Sequence, residues 1–330
     1  MKPLDYYWYN KGGITLLLLP VSWLFCAIAV LRRLLYGIGI LKVHQISVPV
    51  IIIGNISVGG TGKTPLVTWL VEQLRQEGYT PGLISRGYGG KSTHWPQQVR
   101  PDSDPRMVGD EAVLLSQRTN SPMAVGPNRV DAANALLSYN ECDVIVADDG
   151  MQHYALGRDV EIAVVDSVRR FGNGHCLPAG PLREPLSRMK TVDIVVANGV
   201  AGLREFRMEL VPDRLRNIAL PEKSTSLEFF TGKTVHAVAG IGHPERFFRQ
   251  LEKHGITVIE HPFPDHHPFA PEDIDFSDDL PVLMTEKDAV KCQDFANKQH
   301  WLVPVAAKLD ERMMPLVLRL LKKAEQNVIV

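Results

Sequence analysis

Val48-Pro-Val-Ile-Ile-Ile-Gly-Asn55 is an apolar, β-branched stretch that runs straight into Ile56-Ser-Val-Gly-Gly-Thr-Gly-Lys-Thr-Pro65. A strand feeding a Gly-rich loop that ends in Lys-Thr at the start of a helix is a phosphate cradle. Its backbone N–H groups wrap the anion, and the helix N-terminus adds positive potential. Ser57, Val58, Gly59, Gly60, Thr61, Gly62, Lys63 and Thr64 then form an ATP-binding P-loop, with Lys63 on the β/γ-phosphates and Thr64 on magnesium. Ser57 stands where the pattern asks for its first Gly, while Gly59, Gly60 and Gly62 keep the loop flexible. Pro65 suits the first helical turn, where no N–H partner is needed. Beyond it Leu66, Leu70 and Leu74 recur every four residues with Val67 and Val71 beside them, as a helix packed on a sheet requires.

Working outward, short β-branched runs at Gly82–Ser85, Met123–Val125, Asp143–Ala147, Ile162–Asp166 and Val192–Ala197 alternate with helix-period stretches. That alternation predicts an α/β fold: a P-loop NTPase-like parallel sheet with helices on both faces, its sites at the strand ends. Further strand candidates at Val235–Ala239, Ile256–Ile259, Val282–Thr285 and Leu302–Val305 predict a second, smaller α/β domain. The polar stretch Pro212–Ser226 reads as the linker, which gives a membrane-associated segment 1–40, a kinase domain 41–215 and a second domain 216–330 that closes over the active site.

Ile14 to Leu31 is an uncharged run of 18 residues, interrupted by Pro20 and followed by Arg32 and Arg33. At about 1.5 Å per residue it reaches about 27 Å, just short of a hydrocarbon core of roughly 30 Å. Lys2 and Lys11 ahead of it and Ala27-Ile28-Ala29 within it imitate a cleaved signal peptide, but the apolar run continues past that site and the remainder of the chain needs cytoplasmic ATP. An uncleaved membrane-associated helix, serving lipid engagement with little bearing on ATP, is the expectation. A net charge of −1 gives no reason to expect nucleic acid as a partner. Cys26, Cys142, Cys176 and Cys292 form no C-x-x-C pair and read as reduced thiols.

Asp143-Val-Ile-Val-Ala-Asp-Asp149 is an apolar strand ending in two carboxylates. Magnesium takes hard oxygen ligands, and P-loop enzymes draw one from an Asp at such an end. Gln152 and His153 follow, placed either to orient water or phosphate or simply to be solvated. Asp110 and Glu111 open a helical stretch, where position alone makes them favourable N-terminal charges. Asp265, His266 and His267 lie among aromatics and prolines without a third ligand at zinc spacing, so acid–base work suits them better than metal binding. Arg86, Arg129 and Arg183 sit in Gly-rich loops, where a guanidinium suits phosphate recognition or a surface role.

Taken in order, S-V-G-G-T-G-K-T-P, S-R-G-Y-G, G-D-E, V-G-P-N-R, A-D-D-G-M-Q-H, P-A-G-P-L-R-E-P, F-P-D-H-H-x-F and M-T-E-K-D-A-V-K make the chain resemble the tetraacyldisaccharide 4'-kinase family, the lipid A 4'-kinases. The resemblance implies transfer of the ATP γ-phosphate to the 4'-hydroxyl of tetraacyldisaccharide 1-phosphate in lipid A synthesis, at the cytoplasmic face of a bacterial inner membrane. It makes Asp110 the base and His266 its partner, with Lys63 in the P-loop. It gives Thr64, Asp148, Asp149, Gln152 and Glu111 to magnesium, and Arg86, Tyr88, Arg129 and Arg183 to the substrate. Ala112 follows Glu111 where the family commonly has Pro, and His175-Cys176 interrupts the loop before Leu177; neither touches a proposed chemical group. Lys287 and Asp288 carry no assigned role. The competing reading is a P-loop GTPase acting as a membrane-recruitment switch, but neither Ala197-Asn-Gly-Val200 nor Thr285-Glu-Lys-Asp288 fits the guanine-reading N-K-x-D.

Overall fold

The computed structural model describes residues 4–10 and 13–328, so Lys2 and Lys11 and the outermost ends of the expected segments 1–40 and 216–330 lie outside the described residues. The chain begins with α1 (Leu4–Tyr9) and α2 (Gly13–Gly37). It then runs through β1 (Val50–Gly54), α3 (Lys63–Gln76), β2 (Pro81–Ser85), β3 (Gln97–Val99), α4 (Pro105–Val108), α5 (Asp110–Thr119), β4 (Met123–Val125), α6 (Arg129–Tyr139), β5 (Val144–Asp148), β6 (Val160–Asp166), β7 (Ile194–Asn198) and β8 (Phe206–Pro212). Next come β9 (Leu215–Asn217), β10 (Ser224–Thr225), β11 (Thr234–Ala239), α7 (Pro244–Lys253), β12 (Thr257–Pro262), β13 (Val282–Thr285), α8 (Glu286–Cys292) and β14 (His300–Val303). Last are β15 (Val305–Leu309) and α9 (Met313–Val328).

The first sheet has the order β15-β8-β7-β6-β1-β5-β2-β4-β3, parallel except where β15 and β3 close its edges. β1 is buried along its whole length because the pleat feeds two cores. Ile51 and Ile53 pack with α3, α5 and α9, while Val50 and Ile52 pack with α6. The C-terminal ends of β1, β5, β6 and β7 therefore lie side by side and present the P-loop, Asp148, Asp166 and Asn198 on one edge.

The second sheet, β10-β9-β14-β13-β11-β12, has its own core built on Phe230, Phe248, Leu251 and Leu283. Its extent differs from the expected 216–330. β15 pairs with β8, and α9 puts Met313, Val317 and Leu321 into the first core, so residues 305–328 return to the first sheet. A short apolar alternation gives no hint of which sheet it will join. The expected linker Pro212–Ser226 likewise holds β9 and β10, the antiparallel edge of the second sheet.

α2 has 25 residues, with Arg32 and Arg33 inside it rather than beyond it. It is long and apolar enough to cross a membrane by length and composition. Leu16, Leu17, Trp23, Leu24, Ile28 and Leu31 are all more than half exposed. Ser22, Cys26 and Arg33, spaced along one helical face, meet the body of the protein: Arg33 Nη2 donates to Thr191 Oγ1 at 2.8 Å, and Tyr36 lies against Tyr154.

Candidate active site

The loop after β1 closes on itself. Asn55 Nδ2 donates to Gly59 O and to Thr61 Oγ1, each at 3.4 Å, and Lys63 Nζ donates to Asn55 Oδ1 at 3.5 Å. Gly62 caps α3 at φ +95°, and a Cβ there would stand 2.7 Å from Asn198 Nδ2, so neither the backbone nor the space admits a side chain. Ser57 needs no such freedom. It bridges Leu182 in antiparallel fashion, and Val58 N donates to Pro181 O at 2.9 Å, an extended backbone open to any residue.

The acidic strand end divides its work between two residues. Asp148 is buried, and its Oδ1 has no hydrogen-bond partner among the described residues. Burial pushes its carboxyl up to about 7; Lys63 opposes this, while Glu111 and Asp149 add to it. Asp149 turns outward at φ 51° and pairs with Lys63 at 3.4 Å and Arg183 at 3.0 Å. Burial pushes its carboxyl up as well, but those two cations outweigh it and hold the group below the usual range. Gln152 ties the loops together: its Nε2 donates to Asn55 O at 3.1 Å and to Glu184 Oε1 at 2.8 Å. Its Oε1 accepts from Arg183.

Asp110 and His266 meet across the two sheets, Nδ1 to Oδ2 at 3.1 Å. Asp110 is buried at the start of α5, and Glu111 N donates to its other oxygen at 2.9 Å. Burial raises the Asp110 pKa, yet the His266 hydrogen bond, Lys287 and Lys291 bring it below its ordinary value. His266 sits at φ 61°, on a turn that aims its ring at α5, with the Tyr88 ring 5.1 Å away. The bond to Asp110 raises the imidazole pKa; burial and Lys287 pull against it.

Lys287, given no role by the sequence, stands at the centre of this cluster. Its Nζ lies 3.1 Å from both Glu111 and Asp265 and 3.2 Å from His266 Nε2. Burial disfavours the ammonium, but Glu111, Asp110 and Asp265 outweigh it and keep it charged. Glu111 thus pairs with Lys287, and its charge also adds to the upward push on Asp148. Asp288, fully buried, accepts from Thr285 Oγ1 at 2.6 Å, Gly240 N at 2.9 Å and Lys291 Nζ at 2.8 Å, which fixes α8 under the His266 loop. The available signal for both was their position just after a strand, on the first turn of a helix.

The arginines separate. Arg183 joins Asp149. Arg129 is buried, its Nε without a hydrogen-bond partner among the described residues, and burial together with the like charge of Arg86 brings its pKa down to about 10. Arg86 and Tyr88 lie exposed, Tyr88 beside the His266 ring. His153 accepts the Arg129 N–H on Nε2 at 3.3 Å.

A family model described as tetraacyldisaccharide-1-P 4'-kinase matches residues 14–322. The chain belongs to this family. The tetraacyldisaccharide 4'-kinase of Nitrosococcus oceani is 54% identical over 321 residues, covering 97% of this chain and 95% of its own. That of Methylobacillus flagellatus is 53% identical, with 97% of each chain covered. Among solved structures, the Aquifex aeolicus LpxK in complex with ATP aligns with a TM-score of 0.80 at 28% identity, over 93% of this chain and 99% of that one. In this family of kinases the P-loop is the expected nucleotide cradle, and a guanine-nucleotide switch finds no support.

Proposed function

We propose that the chain transfers the γ-phosphate of ATP to the 4'-hydroxyl of tetraacyldisaccharide 1-phosphate, a step of lipid A synthesis at the cytoplasmic face of the inner membrane. The observation that carries this reading is the Asp110–His266 pair, drawn from two sheets to the edge where the P-loop lies. An alcohol is a poor nucleophile at neutral pH, and a carboxylate kept ionised by its surroundings can take its proton as the new P–O bond forms. Asp110 is such a group, and His266 orients it. Lys63 and Arg183, held in place by Asp149, offer positive charge where the transferred phosphoryl gathers negative charge.

The orphaned buried oxygen of Asp148 fits a divalent cation among hard oxygen donors. Thr64, Asp148 and Asp149 would hold it, with Gln152 fixing the loop behind them. A cation held there would supply positive charge to offset that of the β- and γ-phosphates. The like-charged Arg129 and Arg86 suit an acceptor that bears a phosphate of its own. α2 supports a helix lying in the membrane interface: one face is apolar and exposed, while the other is bonded to polar groups of the body and cannot face hydrocarbon.

The test is incubation of the purified chain with γ-labelled ATP and the disaccharide lipid carrying a 1-phosphate. Label should enter the lipid only when its 4'-hydroxyl is free. Nucleotide hydrolysis with no label in the lipid would defeat the assignment.

A further inference from the structure

The apolar helix and the P-loop are linked through one loop. Ser22 is 1% exposed, the only buried residue described on α2, and its hydroxyl donates to Cys176 O at 2.6 Å. A buried hydroxyl is costly unless bonded, and lipid contact alone would favour an apolar residue there. One turn on, the Cys26 thiol lies against that of Cys176. α1 grips the same loop: Trp8 Nε1 donates to Pro178 O at 3.0 Å, and Asn173 N donates to Trp8 O at 2.9 Å. Gly172, at φ 55°, permits the approach, since a Cβ there would stand 2.8 Å from Trp8 O.

The loop passes this grip on without slack. Gly180 N donates to Cys176 O at 3.0 Å, and Leu177 N to Leu182 O at 2.8 Å; Cys176 also bridges Leu182. On its far edge Val58 N donates to Pro181 O, Arg183 N donates to Ile56 O at 2.7 Å, and Ser57 bridges Leu182. From the Ser22 hydroxyl to the backbone that would wrap phosphate, every step is a hydrogen bond or one or two covalent residues.

We infer that Ser22 is a positioning residue for the ATP phosphates: by holding Cys176 O it sets the loop around 172–183, and through Pro181 and Leu182 it sets Ser57 and Val58. The membrane helix thereby bears on the nucleotide as well as on the lipid, contrary to the expectation from the sequence. This rests on the proposed ATP site; a wild-type protein that bound no ATP would defeat that site, whereas the variants below address the link.

The full chain is studied in detergent micelles, where membrane partition plays no part, and ATP is titrated calorimetrically without acceptor. Loss of one such bond should weaken ATP binding in Ser22→Ala by about threefold to tenfold. KM for ATP should rise in step while KM for the lipid stays unchanged. Ser22→Thr, which keeps the hydroxyl, should recover the affinity. Leu24→Ser, two residues on and turned to the exposed face, should leave it alone. Trp8→Phe, which removes the bond to Pro178 O, should weaken ATP binding in the same direction, and it decides the matter if Ser22→Ala does not fold. Unchanged ATP affinity in a folded Ser22→Ala protein, or in Trp8→Phe where that variant decides, overturns the inference, as does equal weakening by Leu24→Ser.

Discussion

Lys287 Nζ stands 3.2 Å from His266 Nε2, with Asp110 bonded to the other ring nitrogen. An ammonium has donors only, so with Lys287 charged Nε2 must accept, and the ring proton sits on Nδ1 facing Asp110. Lys287 thus fixes the tautomer that the pair requires.

Its removal gives the first prediction. Lys287 lowers the pKa of both Asp110 and His266. In Lys287→Met both should rise, so the proton-accepting forms are lost at a higher pH than in the wild type. The acid limb of the kcat profile should move to higher pH. An acid limb that stays where it was would remove Lys287 from the cluster's chemistry.

Asp110→Asn and His266→Ala should each lower kcat by about 100-fold to 10,000-fold with little change in either KM. Because the two act as a unit, the double variant should be little worse than the worse single. Full additivity of the two losses in kcat would argue that they work separately.

Leu24 and Ile28 are 62% and 58% exposed on α2. Charges placed there should loosen the hold on lipid without disturbing either core. Leu24→Glu with Ile28→Glu should leave the melting temperature unchanged, release the protein from anionic vesicles in a flotation assay, and raise the apparent KM for lipid. A doubly substituted protein that floats as the wild type does would locate the membrane contact elsewhere.

Arg188 is among the largest fully buried side chains, and it bonds Glu161, Glu184, Tyr154 and Thr191. Cutting one partner out of a buried charged network leaves the others uncompensated. Arg188→Met should cost about 3 to 5 kcal/mol of stability, read by denaturant unfolding. A loss below about 1 kcal/mol would mean that the carboxylates reach water once the arginine is gone.

Much of the P-loop sheet could be read directly. Each strand end carrying Gly, Asp, Asn or Ser marked the functional edge, because only a parallel sheet puts all those ends on one side. The pairing of Asp110 with His266 could not be read that way: the two are 156 positions apart and no local periodicity joins them, so only the family resemblance brought them together. Lys287 escaped because a lysine on the first turn of a helix looks like any solvated charge. Arg188, Glu161 and Glu184 escaped for the same reason: charge patterns speak of surfaces, and a buried network becomes visible only once the strands are placed.

The return of β15 to β8 bears on how the chain is made. Asp213 N bonds Pro304 O at 2.9 Å, so the outgoing and returning strands cross side by side. During synthesis from the N-terminus, β8 emerges with an unpaired edge and keeps it while all of the second sheet is produced. Only when residues 305–309 leave the ribosome can that edge be covered, and only afterwards can α9 seal the first core. The nucleotide-binding half, although encoded first, is therefore the half that finishes folding last.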